Sequence, residues 1–109
     1  MKIEDLQSIA KTFSSPVYVY DADKISSQYQ RLTNAFANVP HLRINYAMKA
    51  LSNLSVLKLM KKLGAGLDTV SIQEVQLGLR AGFAPSQIIF TPNGVSMNEI
   101  EEAMQLAYS

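Results

Sequence analysis

Leu42-Arg43-Ile44-Asn45-Tyr46-Ala47-Met48-Lys49 and, one helix-length further on, Gly64-Ala65-Gly66-Leu67-Asp68-Thr69-Val70-Ser71 are the stretches whose reading decides the fold. In the first, Leu42, Ile44, Tyr46 and Met48 alternate with Arg43, Asn45 and Ala47, the period of a strand. Between the two, Val56, Leu59, Met60 and Leu63 recur at helical spacing. Lys58, Lys61 and Lys62 lie off that face, and Gly64 is placed for a left-handed helix stop. Leu67 to Val70 reads as a second strand. Ser71-Ile72-Gln73-Glu74 has the form of a capping box and opens a helix that ends at Gly82. Pro85 and Ser86 turn the chain into a third strand-length run, Ile88-Ile89-Phe90-Thr91. After the loop Pro92-Asn93-Gly94, a second capping box, Ser96-Met97-Asn98-Glu99, starts a helix whose apolar face is Met97, Ile100, Met104 and Ala107.

Strand, short loop and helix thus follow one another three times, an order that requires right-handed crossovers and a parallel sheet covered by helices. The predicted class is α/β. A closed (β/α)₈ barrel takes about 200 residues or more, and this chain has 109. It is therefore either a small open sheet or the first three βα units of a parallel TIM-type barrel. The open parallel edge, and a helical pattern that reaches Ser109 without a glycine or proline stop, favour the truncated barrel. Outward on the amino-terminal side, Ile3, Leu6, Ile9, Ala10 and Phe13 predict a helix broken at Ser14-Ser15-Pro16. Val17-Tyr18-Val19-Tyr20 predicts a short buried strand. Asp21 or Asp23 caps a helix with Ile25, Tyr29, Leu32 and Phe36 on one face, closed by Pro40. The domain reading is an amino-terminal helix and strand over 1–22 and an incomplete barrel over 23–109.

Composition narrows the function classes. Ten basic and nine acidic residues give a net charge of +1, which offers no electrostatic case for nucleic acid or an anionic membrane surface. Apolar residues at 48% and charged residues at 17% describe a globular chain. No apolar run approaches the ~20 residues of a membrane span, and the amino terminus lacks a signal-peptide pattern. Cysteine is absent, which removes disulfides and a thiol nucleophile and fits a reducing compartment. The expected location is the cytoplasm.

Among the polar residues, Lys49 carries the most information. It ends the first strand, and in α/β folds chemistry gathers at the carboxyl ends of parallel strands. Pointing inward there, its amine would be desolvated and suited to condense with an aldehyde. The plainer alternative is a strand-end lysine with its stem on apolar surface and its ammonium in water. Asp68 stands at the corresponding end of the second strand, where it can orient that amine or a substrate ammonium; alternatively it accepts from backbone amides at the next helix start. Ser71 and Glu74 are explained by the capping box. His41 is the only histidine and has no thiolate or second imidazole with which to share a metal, so no metal site is expected. Gly64-Ala65-Gly66 lacks the third glycine of a dinucleotide fingerprint.

Taken together, Tyr46-Ala47-Met48-Lys49-Ala50, the run from Gly64 to Ser71 with Glu74, Ala81-Gly82-Phe83 and Ile88-Ile89-Phe90 resemble the fold-type III pyridoxal-phosphate-dependent decarboxylases. The resemblance extends back to Ser15-Pro16-Val17-Tyr18-Val19-Tyr20-Asp21 and so covers nearly the whole chain. It implies that Lys49 carries pyridoxal 5′-phosphate in Schiff-base linkage. It also implies that Ala47 is small to clear the ring, that Asp68 lies near the cofactor, and that Ser71 and Glu74 support the site from behind. The implied reaction is loss of carbon dioxide from an amino acid, with meso-2,6-diaminopimelate giving L-lysine as the leading substrate. Ornithine, arginine and carboxynorspermidine are the alternatives on the same fold. A non-catalytic pyridoxal-phosphate carrier and a stand-alone α/β interaction module remain as readings from other classes. The sequence departs from the family at Leu51, where asparagine is common, at Gln73, where glycine is common, and at Pro92-Asn93-Gly94-Val95-Ser96. The family places its phosphate-binding loop, ring-nitrogen carboxylate and substrate-gripping residues later in the chain, and shares active sites across a homodimer. These 109 residues alone are therefore expected to be inactive.

Overall fold

Two helices, α1 (Ile3–Phe13) and α2 (Ala22–Ala35), precede three strand–helix units: β1 (Asn45–Ala47) with α3 (Leu54–Leu63), β2 (Gly66–Thr69) with α4 (Ile72–Arg80), and β3 (Ile88–Phe90) with α5 (Met97–Tyr108). This is the computed structural model of the chain, and it describes residues 1–108. Residues Met1–Ala35 gather into one unit and Phe36–Ser109 into a second. Among the described residues, no helix is long and apolar enough to cross a membrane.

In the first unit, both helices form where their spacing predicts them. Asp21 is the residue that caps α2. Its Oδ1 accepts from the Lys24 amide at 3.1 Å, and its Oδ2 accepts from the Met1 ammonium at 3.1 Å. The strand expected at Val17–Tyr20 is not there. That segment follows a cis Ser15–Pro16 bond and stays unpaired, with Tyr18 90% exposed. Its β-branched and aromatic side chains favour a pleated, half-buried surface, but a strand also needs a partner ladder. Among the described residues, the sheet consists of the three strands of the second unit.

The second unit is built on the parallel sheet β1-β2-β3. Tyr46, Leu67 and Ile88 stand in register across it on the helix-covered face. Leu67, at the centre, is fully buried and packs with Met48, Leu57, Ala81 and Phe83; Tyr46, Leu54, Leu77 and Ile88 close round them. Gly78 lets α4 come close, because a Cβ there would sit 2.7 Å from Leu67 Cδ1 and 3.2 Å from Ile88 Cδ1. Gly64 ends α3 in the left-handed region as expected, at φ 94°.

Two helical faces differ from the sequence reading. On α3, burial centres on Leu57 and Met60, while Val56, Leu59 and Leu63 are half-buried around them. On α5, Met97, Ile100 and Met104 point to solvent. Ala103 and Leu106, half-buried, instead line a cavity with Val75, Leu79, Ile88 and Phe90 of α4 and β3, and Ala107 alone of the expected face reaches it. The helix has two apolar stripes, and the one with small alanines permits the closer approach to the sheet.

Candidate functional site

Lys49 leaves the sheet at the carboxyl end of β1, on a 3₁₀ turn spanning Met48–Ala50. The turn closes through the Leu51 amide, which donates to Met48 O at 3.1 Å. It is fastened on both sides of the lysine. Met48 is fully buried in the core, and the Tyr46 hydroxyl donates to Leu51 O at 2.9 Å. Immediately beyond, Asn53 Oδ1 accepts from the Ser55 and Val56 amides at 2.9 and 3.3 Å and starts α3. The backbone around Lys49 is therefore fixed while its side chain is exposed.

This corrects the expectation of an inward, dry lysine at a strand end. The strand stops at Ala47, so its two-residue alternation does not reach position 49. In addition, the sheet face opposite the helices is partly open: Ile89, on that face, is 40% exposed.

That open face carries the other candidates in rows set by the register. Asn45 pairs with Gly66, and Ala47 pairs with Asp68, which pairs in turn with Ile89. Asp68 is thus the lateral neighbour of the residue two before Lys49. The two charged groups form no ion pair; among the described residues the ion pair is Met1 with Asp21. Asp68 does not accept from the next helix start. The amide there, on Val70, donates to Glu74 Oε2 at 2.7 Å. Asp68 Oδ1 instead receives the Thr91 hydroxyl at 2.6 Å. Ser71 Oγ accepts from the Glu74 amide at 3.2 Å, so Ser71 and Glu74 together lock the β2–α4 junction behind Asp68.

Three contributions escaped the sequence reading. Thr91 is one, although alternation from Ile89 places it on the same face as Asp68. The Tyr46 hydroxyl is the second: the ring is a core residue as read, but its tip holds the lysine turn. The third is Arg43, at the other end of the strands. Its Nε donates to Asn45 Oδ1 at 3.1 Å and its Nη2 to Ser86 O at 2.9 Å. This side-chain bridge crosses the row in which Gly66 has no side chain.

A primary amine on a fastened turn at the carboxyl end of a parallel strand places the chain in a class: an α/β sheet protein with an exposed amine at the strand ends where chemistry gathers. Comparison with known proteins makes the class specific. Residues 22–108 match the family described as pyridoxal-dependent decarboxylase, pyridoxal binding domain, and the chain belongs to that family. It is 44% identical over 100 residues to a diaminopimelate decarboxylase of Helicobacter pylori (strain J99), covering 92% of this chain and 24% of that protein. Against the diaminopimelate decarboxylase of Pseudomonas aeruginosa, identity is 39% over 101 residues, covering 93% and 24%. The crystal structure of the Helicobacter pylori diaminopimelate decarboxylase complexed with L-lysine superposes with a TM-score of 0.84 at 41% identity, covering 94% of this chain and 26% of that one. A lysine/ornithine decarboxylase from Vibrio vulnificus complexed with putrescine gives a TM-score of 0.86 at 27% identity, covering 95% and 28%. The chain thus spans about a quarter of the length of the curated relatives it matches. The three parallel βα units correspond to barrel units of these enzymes, as the repeat of strand and helix predicts.

Proposed function

We propose that this chain is the lysine-bearing portion of an enzyme that decarboxylates meso-2,6-diaminopimelate to L-lysine and carbon dioxide. The observation that carries the reading is Lys49 on its fastened turn, with Ala47 and Asp68 in adjacent register, in a chain of the pyridoxal-binding family. The residues present fit the aldehyde end of pyridoxal phosphate: the donor is an exposed primary amine, the last strand residue before its turn is alanine, and the register partner of that alanine is a carboxylate. When bound, the cofactor supplies an aldehyde for amines and takes up the electron pair left on the substrate α-carbon as carbon dioxide departs.

The chain's own residues do the rest. Lys49 Nζ would hold the cofactor and, once released by the substrate α-amine, would be the amine available to return a proton. Ala47 leaves the space beside the ring clear. The Asp68 carboxylate, at the end of the neighbouring strand, would offer a charge-assisted contact to the ammonium of the substrate. Ser71 and Glu74 hold the end of β2 from which Asp68 projects.

Diaminopimelate is preferred over ornithine because superposition gives 41% identity to the diaminopimelate decarboxylase of Helicobacter pylori, against 27% to the lysine/ornithine decarboxylase of Vibrio vulnificus. We further propose a cytoplasmic homodimer for the complete protein, an amino-terminal segment 1–22 that joins a second domain, and no turnover by these 109 residues alone, since three βα units enclose no barrel mouth.

The test is Lys49→Ala in the complete protein. The visible cofactor absorbance and carbon dioxide release from diaminopimelate should both vanish, and borohydride should fix the cofactor to the wild-type peptide that contains Lys49. Wild-type absorbance without carbon dioxide release would instead indicate a carrier. Unchanged absorbance in Lys49→Ala would overturn the reading.

A further inference from the structure

We infer that Thr91 is a positioning residue for this site: its hydroxyl fixes the orientation of the Asp68 carboxylate at the end of β2, beside the place where Lys49 would hold the cofactor. The inference rests on the reading of Lys49 above and adds to it a residue on a third strand end.

Two oxygens lie near Thr91 Oγ1, Asp68 Oδ1 at 2.6 Å and Thr69 O at 3.3 Å, and the hydroxyl has one proton to give. The short contact has the length of a charge-assisted O–H···O⁻ bond, so the proton is directed to the carboxylate. Thr69 O does not need it, because it already accepts the Thr91 amide at 2.8 Å. That backbone bond fixes Thr91 against the end of β2, and β-branching restricts its χ1. The donor is therefore in place before any ligand arrives.

The opposite side of Asp68 is set by Ala47, its register partner on β1. A methyl group there cannot hold a carboxylate, so the side chain is steered from β3 alone. The Val70 amide, the nearest backbone alternative, is occupied by Glu74. Without the Thr91 hydroxyl, Asp68 would rotate among its staggered positions in water.

The experiment uses the complete protein in four forms: Thr91→Val, which keeps the shape and removes the donor; Thr91→Ser, which keeps the donor; Asp68→Asn; and Asp68→Asn with Thr91→Val. Pyridoxal phosphate dissociation, the visible circular dichroism of the bound cofactor and the thermal midpoint of the apoprotein are measured for each. Thr91→Val should weaken cofactor binding about threefold to tenfold, the scale of re-ordering one freed side chain on binding. It should also lower the visible dichroism and leave the apoprotein midpoint unchanged. Thr91→Ser should match wild type, and in the Asp68→Asn background Thr91→Val should have no further effect. Wild-type behaviour of Thr91→Val, equal damage from Thr91→Ser and Thr91→Val, or an undiminished effect of Thr91→Val in the Asp68→Asn background would each overturn the inference. So would a silent Asp68→Asn in a protein whose cofactor band still depends on Lys49, an outcome that leaves the assignment of Lys49 standing.

Discussion

Adding one methyl group at Gly66 probes the row of side chains at the end of the strands opposite Lys49. A Cβ built there runs into Asn45 Oδ1, lies 2.9 Å from Gln87 O and 3.1 Å from Arg43 Nε. The first contact is relieved only by moving Asn45, which gives up its hydrogen bond from Arg43, about 1 kcal/mol for a solvent-accessible bond. The second is with backbone and is relieved only by shifting the start of β3. Inserting a methylene-sized group into a filled site costs about 1–3 kcal/mol. Replacing glycine by alanine in the unfolded chain offsets about 0.4–1 kcal/mol of this. Gly66→Ala should therefore destabilise by about 2 kcal/mol, which at a urea m-value of about 2 kcal/mol/M lowers the midpoint by about 1 M.

Urea unfolding followed by far-ultraviolet circular dichroism measures this directly, with an unchanged m-value as the condition for reading the midpoint as stability. Gly66→Ala with Asn45→Ala should recover part of the loss and no more, since the Gln87 carbonyl remains. A midpoint at or above wild type for Gly66→Ala would refute the reasoning, because the barrier would then be a side chain that swings away freely. A double variant no better than the single one would show that Asn45 is not the obstruction.

Tyr46→Phe removes the bond to Leu51 O and leaves the ring in the core, so it should cost about 1 kcal/mol and increase hydrogen exchange at the Leu51 amide, which closes the Lys49 turn; unchanged exchange there would mean the turn is held by Met48 alone. Asp21 has its carboxyl held below the ordinary 3.8, first by the Lys24 amide and then by the Met1 ammonium. Because the folded value is the lower one, this contribution to the first unit is complete above the unfolded value and fades as pH falls through the folded one. Carboxyl NMR titration should place the Asp21 midpoint below 3.8, and Asp21→Asn should remove the acid-dependent fraying at the start of α2.

The three strand–helix units were legible because each is specified locally. Ser71 with Glu74 and Ser96 with Glu99 bond within four residues of one another, and Gly64 needs only its own backbone to end α3. What was not legible depends on partners far along the chain. Val17–Tyr20 has strand composition but no ladder, and the half-buried side of α5 is the one at Ala103 and Leu106, beside Val75, Leu79, Ile88 and Phe90, rather than the larger stripe at Met97, Ile100 and Met104. The site divides along the same line. Lys49, Ala47 and Asp68 could be named from a motif, while the hydroxyl that aims Asp68 lies 23 residues away on the next strand. A motif therefore identifies the groups that react, and only the register of β1, β2 and β3 shows which neighbours hold them. The same dependence explains why Lys49 is exposed here: desolvating an amine takes a layer over the open face of the sheet, and no spacing within Tyr46-Ala47-Met48-Lys49-Ala50 encodes one.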